Sequence, residues 1–201
     1  MHLTWFGHSS FKLEYNDKVI YIDPYAGDLA WYDKTASLIL ISKDEYEHFN
    51  RSIVKKIAGD NTHVIGGVDV ASELYGCRPL KPGEHITFED DMAVQAMPAK
   101  IVRRNTTRDS IGWLLTIEKK VYYFTGDTDI LPATLDADTI FVPVGSTWSM
   151  KPKHAAAAVK LLNPKHAIPL WYASKDDAEL FSELVQPVDV IFLEHNKQVH
   201  L

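Results

Sequence analysis

One cysteine, Cys77, is all that this chain of 201 residues contains, so no intramolecular disulfide can form and a cysteine-built zinc site lacks its ligands. A long apolar run is absent too. The opening Met1-His2-Leu3-Thr4-Trp5-Phe6-Gly7-His8 has no basic region followed by an apolar stretch, and nothing further on approaches a membrane span. These absences predict a soluble, cytoplasmic protein with no membrane partner. Basic charge is scarce: 21 Lys and Arg stand against 27 Asp and Glu, a net charge of −6, which argues against general affinity for nucleic acid. No stretch rich in Gly, Pro or Ser divides the chain, and no low-complexity tract appears, so a single domain over residues 1–201 is expected.

What the chain does have is apolar material, 46% of its residues with 11% aromatic, enough for a sizeable core. Short β-like runs are predicted at 3–6, 11–15 and 19–22, the last two joined by Asn16-Asp17, a hairpin-forming pair. A buried strand follows at 38–41. Phe49, Ile53, Val54 and Ile57 carry the spacing of one helical face, with Gly59 placed to end that helix. A strand at 63–65, a helix at 68–75 and strands at 85–88 and 92–97 continue the pattern. The second half offers a hairpin at 112–117 and 121–124, a strand at 139–142, a helix at 154–162 stopped by Asn163-Pro164, a strand at 167–170, a helix at 176–184 and a strand at 188–193. Each half is strand-rich first and then alternates strand with helix. That order suits an α/β fold of two packed mixed sheets with helices outside.

In such folds ligands collect at loops beyond the carboxyl ends of strands. Four loops are chemically unusual: Gly7-His8-Ser9-Ser10, the stretch from Ser42 through Lys43, Asp44, Glu45, Tyr46 and Glu47 to His48, Gly126-Asp127-Thr128-Asp129, and Pro169-Leu170-Trp171-Tyr172. Together with Ile22-Asp23-Pro24 and Pro143-Val144-Gly145, which leads through Met150 and Pro152 into an Ala-rich helix, they make the chain resemble the small metal-dependent hydrolases of the metallo-β-lactamase fold over nearly its whole length. The resemblance implies an αββα sandwich and a two-metal site. The ligands of that site come from an H-x-H-x-D-H loop, a further histidine, the Asp of Gly-Asp-Thr and a last histidine.

The departures are severe. Lys43 stands at the first histidine of the pattern, Glu45 at the second and Glu47 at the aspartate, while His48 matches; Lys100 falls close to a further ligand position, Asp127 is retained, and Trp171 replaces the last histidine. An ammonium has no lone pair until it loses its proton, and an indole cannot coordinate, so the first metal position is dismantled. Two readings stay open. In one, Glu47, His48 and Asp127 hold a single divalent metal, zinc, iron or manganese, with Asp127 and His48 as the catalytic pair beside a metal-activated water. In the other the pocket is free of metal, and Lys43 and Lys100 place ammonium groups among Asp127, Glu45 and Glu47; Lys43 then needs a carboxylate partner.

The corresponding functions are a metal-dependent hydrolase and a pseudoenzyme or binding module for an anionic small molecule, held by Lys43, Lys100 and Arg103 with His8 and Trp171 beside them. Blander roles compete for several of these residues. His8 serves a ligand-binding side chain or only a neighbouring loop, Asp23 beside Pro24 supports the site or forms a turn, and Asp127 and Asp129 flank a loop that an Asx-turn would explain. The stretch from Lys100 to Arg108 gathers four basic residues, Lys100, Arg103, Arg104 and Arg108, either as a solvated loop or as an anion-recruiting lip.

Overall fold

A computed structural model describes residues 1–89, 91–103, 106–145, 150–172 and 174–201. By internal contacts the chain divides into two compact units, residues 1–80 with 193–201, and residues 81–192. Each unit is built on one seven-stranded sheet.

In the first unit, β1 (His2–Gly7), β2 (Ser10–Tyr15) and β3 (Lys18–Ile22) form an antiparallel meander, and the β2–β3 turn puts Asn16 in the left-handed region, φ 50°, which Asn tolerates. β4 (Leu38–Ile41) and β5 (His63–Gly66) then add in parallel, followed by the two-residue β6 (Arg78–Pro79). Helix α1 (Arg51–Ile57) starts at Asn50, whose side chain accepts a hydrogen bond from Ser52 N. Phe49 stays in the core ahead of it, although the helical spacing had included it. α1 and α2 (Val68–Glu73) lay Ile53, Val54, Ile57 and Val70 against Phe6, Tyr21, Ile39 and Ile41. β4 is buried at every position, as its unbroken Leu-Ile-Leu-Ile run requires.

The second unit repeats the plan. β7 (His85–Thr87), β8 (Met92–Arg103), β9 (Thr106–Ile117) and β10 (Lys120–Phe124) are antiparallel, and β11 (Thr139–Pro143), β12 (His166–Leu170) and β13 (Asp189–Val190) continue in parallel. Helix α3 (Pro152–Leu162) begins on a proline and ends on Asn163 in the left-handed conformation, φ 48°; α4 (Lys175–Leu184) is capped by Ser174, whose hydroxyl accepts from Asp177 N. Ala155, Ala156 and Val159 of α3 and Phe181 of α4 pack in one cluster with Tyr123, Ile140 and Val142.

The strand at β14 (Gln198–His200) returns to the first sheet beside β1. The α/β class with two mixed sheets is thus present. Two expectations need correction. The segment read as a solvated basic loop is strand: Lys100 to Arg103 pair with Asp109 to Thr106 as the far end of the long β8–β9 ribbon. The stretch 188–193 shortens to the two-residue β13, whose last backbone bond to β12 is Ile191 N to Ala167 O at 3.0 Å.

Candidate functional site

Asp23, weighed in the sequence as a turn residue, is the hub of the first unit. It follows β3 with φ 44°, its N–H donates to Leu40 O at 2.8 Å, and it is only 1% exposed. Its carbonyl accepts from Ser10 Oγ at 2.5 Å, and Ser10 Oγ in turn accepts from Tyr25 N and Ala26 N. Its carboxylate receives three groups: Ser42 N on Oδ1 at 2.7 Å, and Ser42 Oγ at 2.7 Å and His48 Nδ1 at 2.9 Å on Oδ2. A carboxylate only accepts, so Nδ1 of His48 carries the proton and in the neutral ring Nε2 keeps the lone pair. A ligating histidine is prepared in the same way, its far nitrogen donating to a carboxylate.

The loop from Ser42 to His48 turns tightly, His48 N donating to Glu45 O at 2.9 Å. Lys43 is buried, and its Nζ lies 2.9 Å from Glu45 Oε2, the carboxylate partner that a buried ammonium requires. Asp44 N donates to Asp69 Oδ2 at 2.9 Å, and burial, with Glu73 and Asp69 nearby, holds the Asp44 carboxyl above the usual carboxylate range. Glu47 is exposed. Tyr46 sets its ring edge-on to Tyr25, and Tyr25 meets the ring of His8 in the same manner. His8 is exposed, at φ 48°, and its carbonyl accepts from the Trp5 indole at 2.9 Å. Its backbone therefore ties back to β1 while its ring meets Tyr25.

In the second unit the loop after β10 is wedged against β9 and β8. Gly126 has φ 66°, and a Cβ there would sit 2.7 Å from Ile111 O, so no side chain fits. Ser110 Oγ donates to Asp127 O at 3.3 Å. Thr128 Oγ1 accepts from Lys100 N at 3.1 Å, Asp129 N donates to Lys100 O at 2.8 Å, and Val102 N donates to Asp129 Oδ2 at 2.8 Å. Asp129, set aside in the sequence as a turn-former, pins the β8–β9 ribbon to the loop that carries Asp127. Lys100 is half exposed, 3.6 Å from Asp109. Trp171 follows β12 at φ 56°, with its indole Nε1 buried. The side chain of Arg103 and all of Arg104 lie outside the described residues.

Lys43, Glu45 and His48 are brought together in one loop of the first unit. Asp127, Lys100 and Trp171 belong to the second. Among the described residues no three His, Cys, Asp or Glu side chains are grouped to hold a metal ion. The chemistry of the donor set agrees. His48 is prepared as a ligand, but Lys43 offers no lone pair, Glu45 is engaged by Lys43, and Glu47 points to solvent exposure rather than to a buried centre. Among the described residues, the Ser42–His48 loop offers one prepared ligand, His48.

Two mixed sheets, with helices and chemically dense loops after their strands, define the class as an α/β protein. A family model for the beta-lactamase superfamily domain matches residues 2–171. A UPF0173 metal-dependent hydrolase of Anoxybacillus flavithermus is 30% identical, the match covering 94% of this chain and 95% of that protein. Another, from Pyrobaculum calidifontis, is 28% identical over 94% of this chain and 93% of its own length. In fold, the crystal structure of a Parabacteroides distasonis protein superposes with a TM-score of 0.86 at 24% identity, covering 96% of this chain and 92% of that one. Igni18, a metallo hydrolase of Ignicoccus hospitalis, reaches 0.79 at 20% identity over 98% and 97%. The chain belongs to the beta-lactamase superfamily, beside its metal-dependent hydrolases.

Proposed function

We propose that this chain is a member of the hydrolase family whose two-metal centre is lost or reduced to one metal at most, leaving a pocket that binds an anionic small molecule. One observation carries the reading: at the position where the family pattern places its first ligands, a buried Lys43 ammonium is paired 2.9 Å from Glu45. A fixed cation in that loop supplies the charge a divalent ion would otherwise bring and disfavours such an ion by repulsion. The Glu45 side chain is 41% exposed against 7% for Lys43, so an incoming phosphate or carboxylate exchanges with Glu45, which swings to solvent, while Lys43 stays in place. Asp23 and Ser42 hold His48 in place through their hydrogen bonds. A cytoplasmic location belongs to the same proposal, on the support of the single unpaired thiol, Cys77.

The test combines metal content with anion binding. Purified protein after extensive dialysis is expected to carry less than about one equivalent of zinc, iron and manganese together, and inorganic phosphate at low salt is expected to raise the melting temperature of the parent but not of Lys43→Met. Two equivalents of metal that persist in His2→Gln, or a phosphate shift unchanged in Lys43→Met, overturns the reading.

A further inference from the structure

The pairing of β1 with β14 places two histidines face to face. Leu201 N donates to Met1 O at 3.1 Å and Met1 N donates to Leu201 O at 3.5 Å, so this couple exchanges both of its backbone bonds. Antiparallel ladders alternate, and the next couple inward is therefore of the other kind, without mutual bonds, where backbones come to about 4.5 Å and side chains stand closest. That couple is His2 with His200. Both are exposed, and their rings meet edge to face with centroids 5.2 Å apart.

Glu14 is the partner of His2 on the other side, in β2, and extends the row to three strands. Its carboxylate is occupied, accepting from Lys34 Nζ and, at 3.2 Å, from Gln198 Nε2, with Lys12 Nζ 3.8 Å away, so it is balanced by cations and is not counted as a ligand. Neutral imidazole is a good donor for zinc, nickel and copper, and two rings on facing strands at this separation reach a common ion by rotation about their side-chain bonds.

We infer that His2 and His200 form a two-histidine chelate for a divalent transition-metal ion, with water completing its coordination. The site lies on the sheet of the first unit and shares no residue with the Ser42–His48 loop. Bound metal staples the three-residue β14 to β1 and so adds to the short backbone pairing and the Gln198–Glu14 bond that hold this edge strand. The inference is independent of the function proposed above.

Calorimetric titration of the full chain with Ni²⁺, Cu²⁺ and Zn²⁺ tests it, beside the variants His2→Gln, His200→Gln and His48→Gln. The expected result is one equivalent bound, tightest for Cu²⁺. His2→Gln and His200→Gln should each weaken binding by roughly a hundredfold, as loss of one arm of a bidentate grip does. His48→Gln should leave it intact. Metal should raise the melting temperature of the parent and fail to do so in either strand variant. Since both side chains are exposed, these replacements leave the core untouched. No binding by the parent, binding that survives His2→Gln and His200→Gln, or binding lost only in His48→Gln would each overturn the inference.

Discussion

Replacing Asp23 by Asn changes one atom in the buried hub and isolates what its charge does. The left-handed backbone at φ 44° is open to Asn as to Asp, so no strain is added. Orientation of the new amide is dictated by Ser42, whose N–H now donates to Oδ1 at 2.7 Å and can only face an oxygen. The NH₂ group must therefore take the place of Oδ2. There the Ser42 hydroxyl can turn and accept, but His48 Nδ1, at 2.9 Å, must change from donor to acceptor. The ring proton moves to Nε2, and the lone pair faces the wrong way. A hydrogen bond to a charged group contributes about 1.5–3 kcal/mol. With the bonds of Asp23 to Ser42 and His48 all exchanged for neutral ones, destabilisation of about 2–3 kcal/mol is expected, a fall of about 4–12 °C in melting temperature for a chain of this length. Urea unfolding measures the first quantity, and the imidazole ¹⁵N shifts of His48 read the tautomer directly. A variant within about 0.5 kcal/mol of the parent that kept the Nδ1–H tautomer would refute the reasoning, because the background scatter for harmless substitutions is about that size.

Asp129→Ala removes the acceptor of Val102 N–H and should cost about 1–2 kcal/mol, with faster amide exchange at Val102 and Lys100; unchanged protection there would show that the ribbon does not depend on the loop. Asp44→Asn should act in the opposite direction. Burial, then Glu73 and Asp69, raise the Asp44 carboxyl in the folded state, so its ionisation destabilises the fold at neutral pH, and the penalty fades as pH falls through the raised value toward the ordinary carboxylate range. The variant is therefore expected to melt above the parent at pH 7 and level with it near pH 3. Equal melting at both values would discount the repulsion.

Much of this was written locally. The Leu38-Ile39-Leu40-Ile41 run, the Asn16-Asp17 turn and the Asn163-Pro164 stop each specify their element from a few neighbouring residues, and strand and helix order followed from them. That Lys43 brings no lone pair to its loop was equally legible, since the absence of one on a protonated lysine is a property of the residue and not of its surroundings. Tertiary structure decided the rest. Asp23 became the hub only because folding brings it to Ser42 and His48, 19 and 25 positions away, and a lone Asp-Pro reads equally well as a turn. The outer half of the β8–β9 ribbon carries exposed polar residues, so no apolar alternation announced it as strand; its register is fixed by backbone pairing and by Asp129. β14 has three residues and finds its partner at the other end of the chain, so the meeting of His2 with His200 had no local signal at all. Short-range periodicity records which face of an element is buried, whereas contacts across the sequence depend on where the whole backbone returns, and that is settled only when the sheets form.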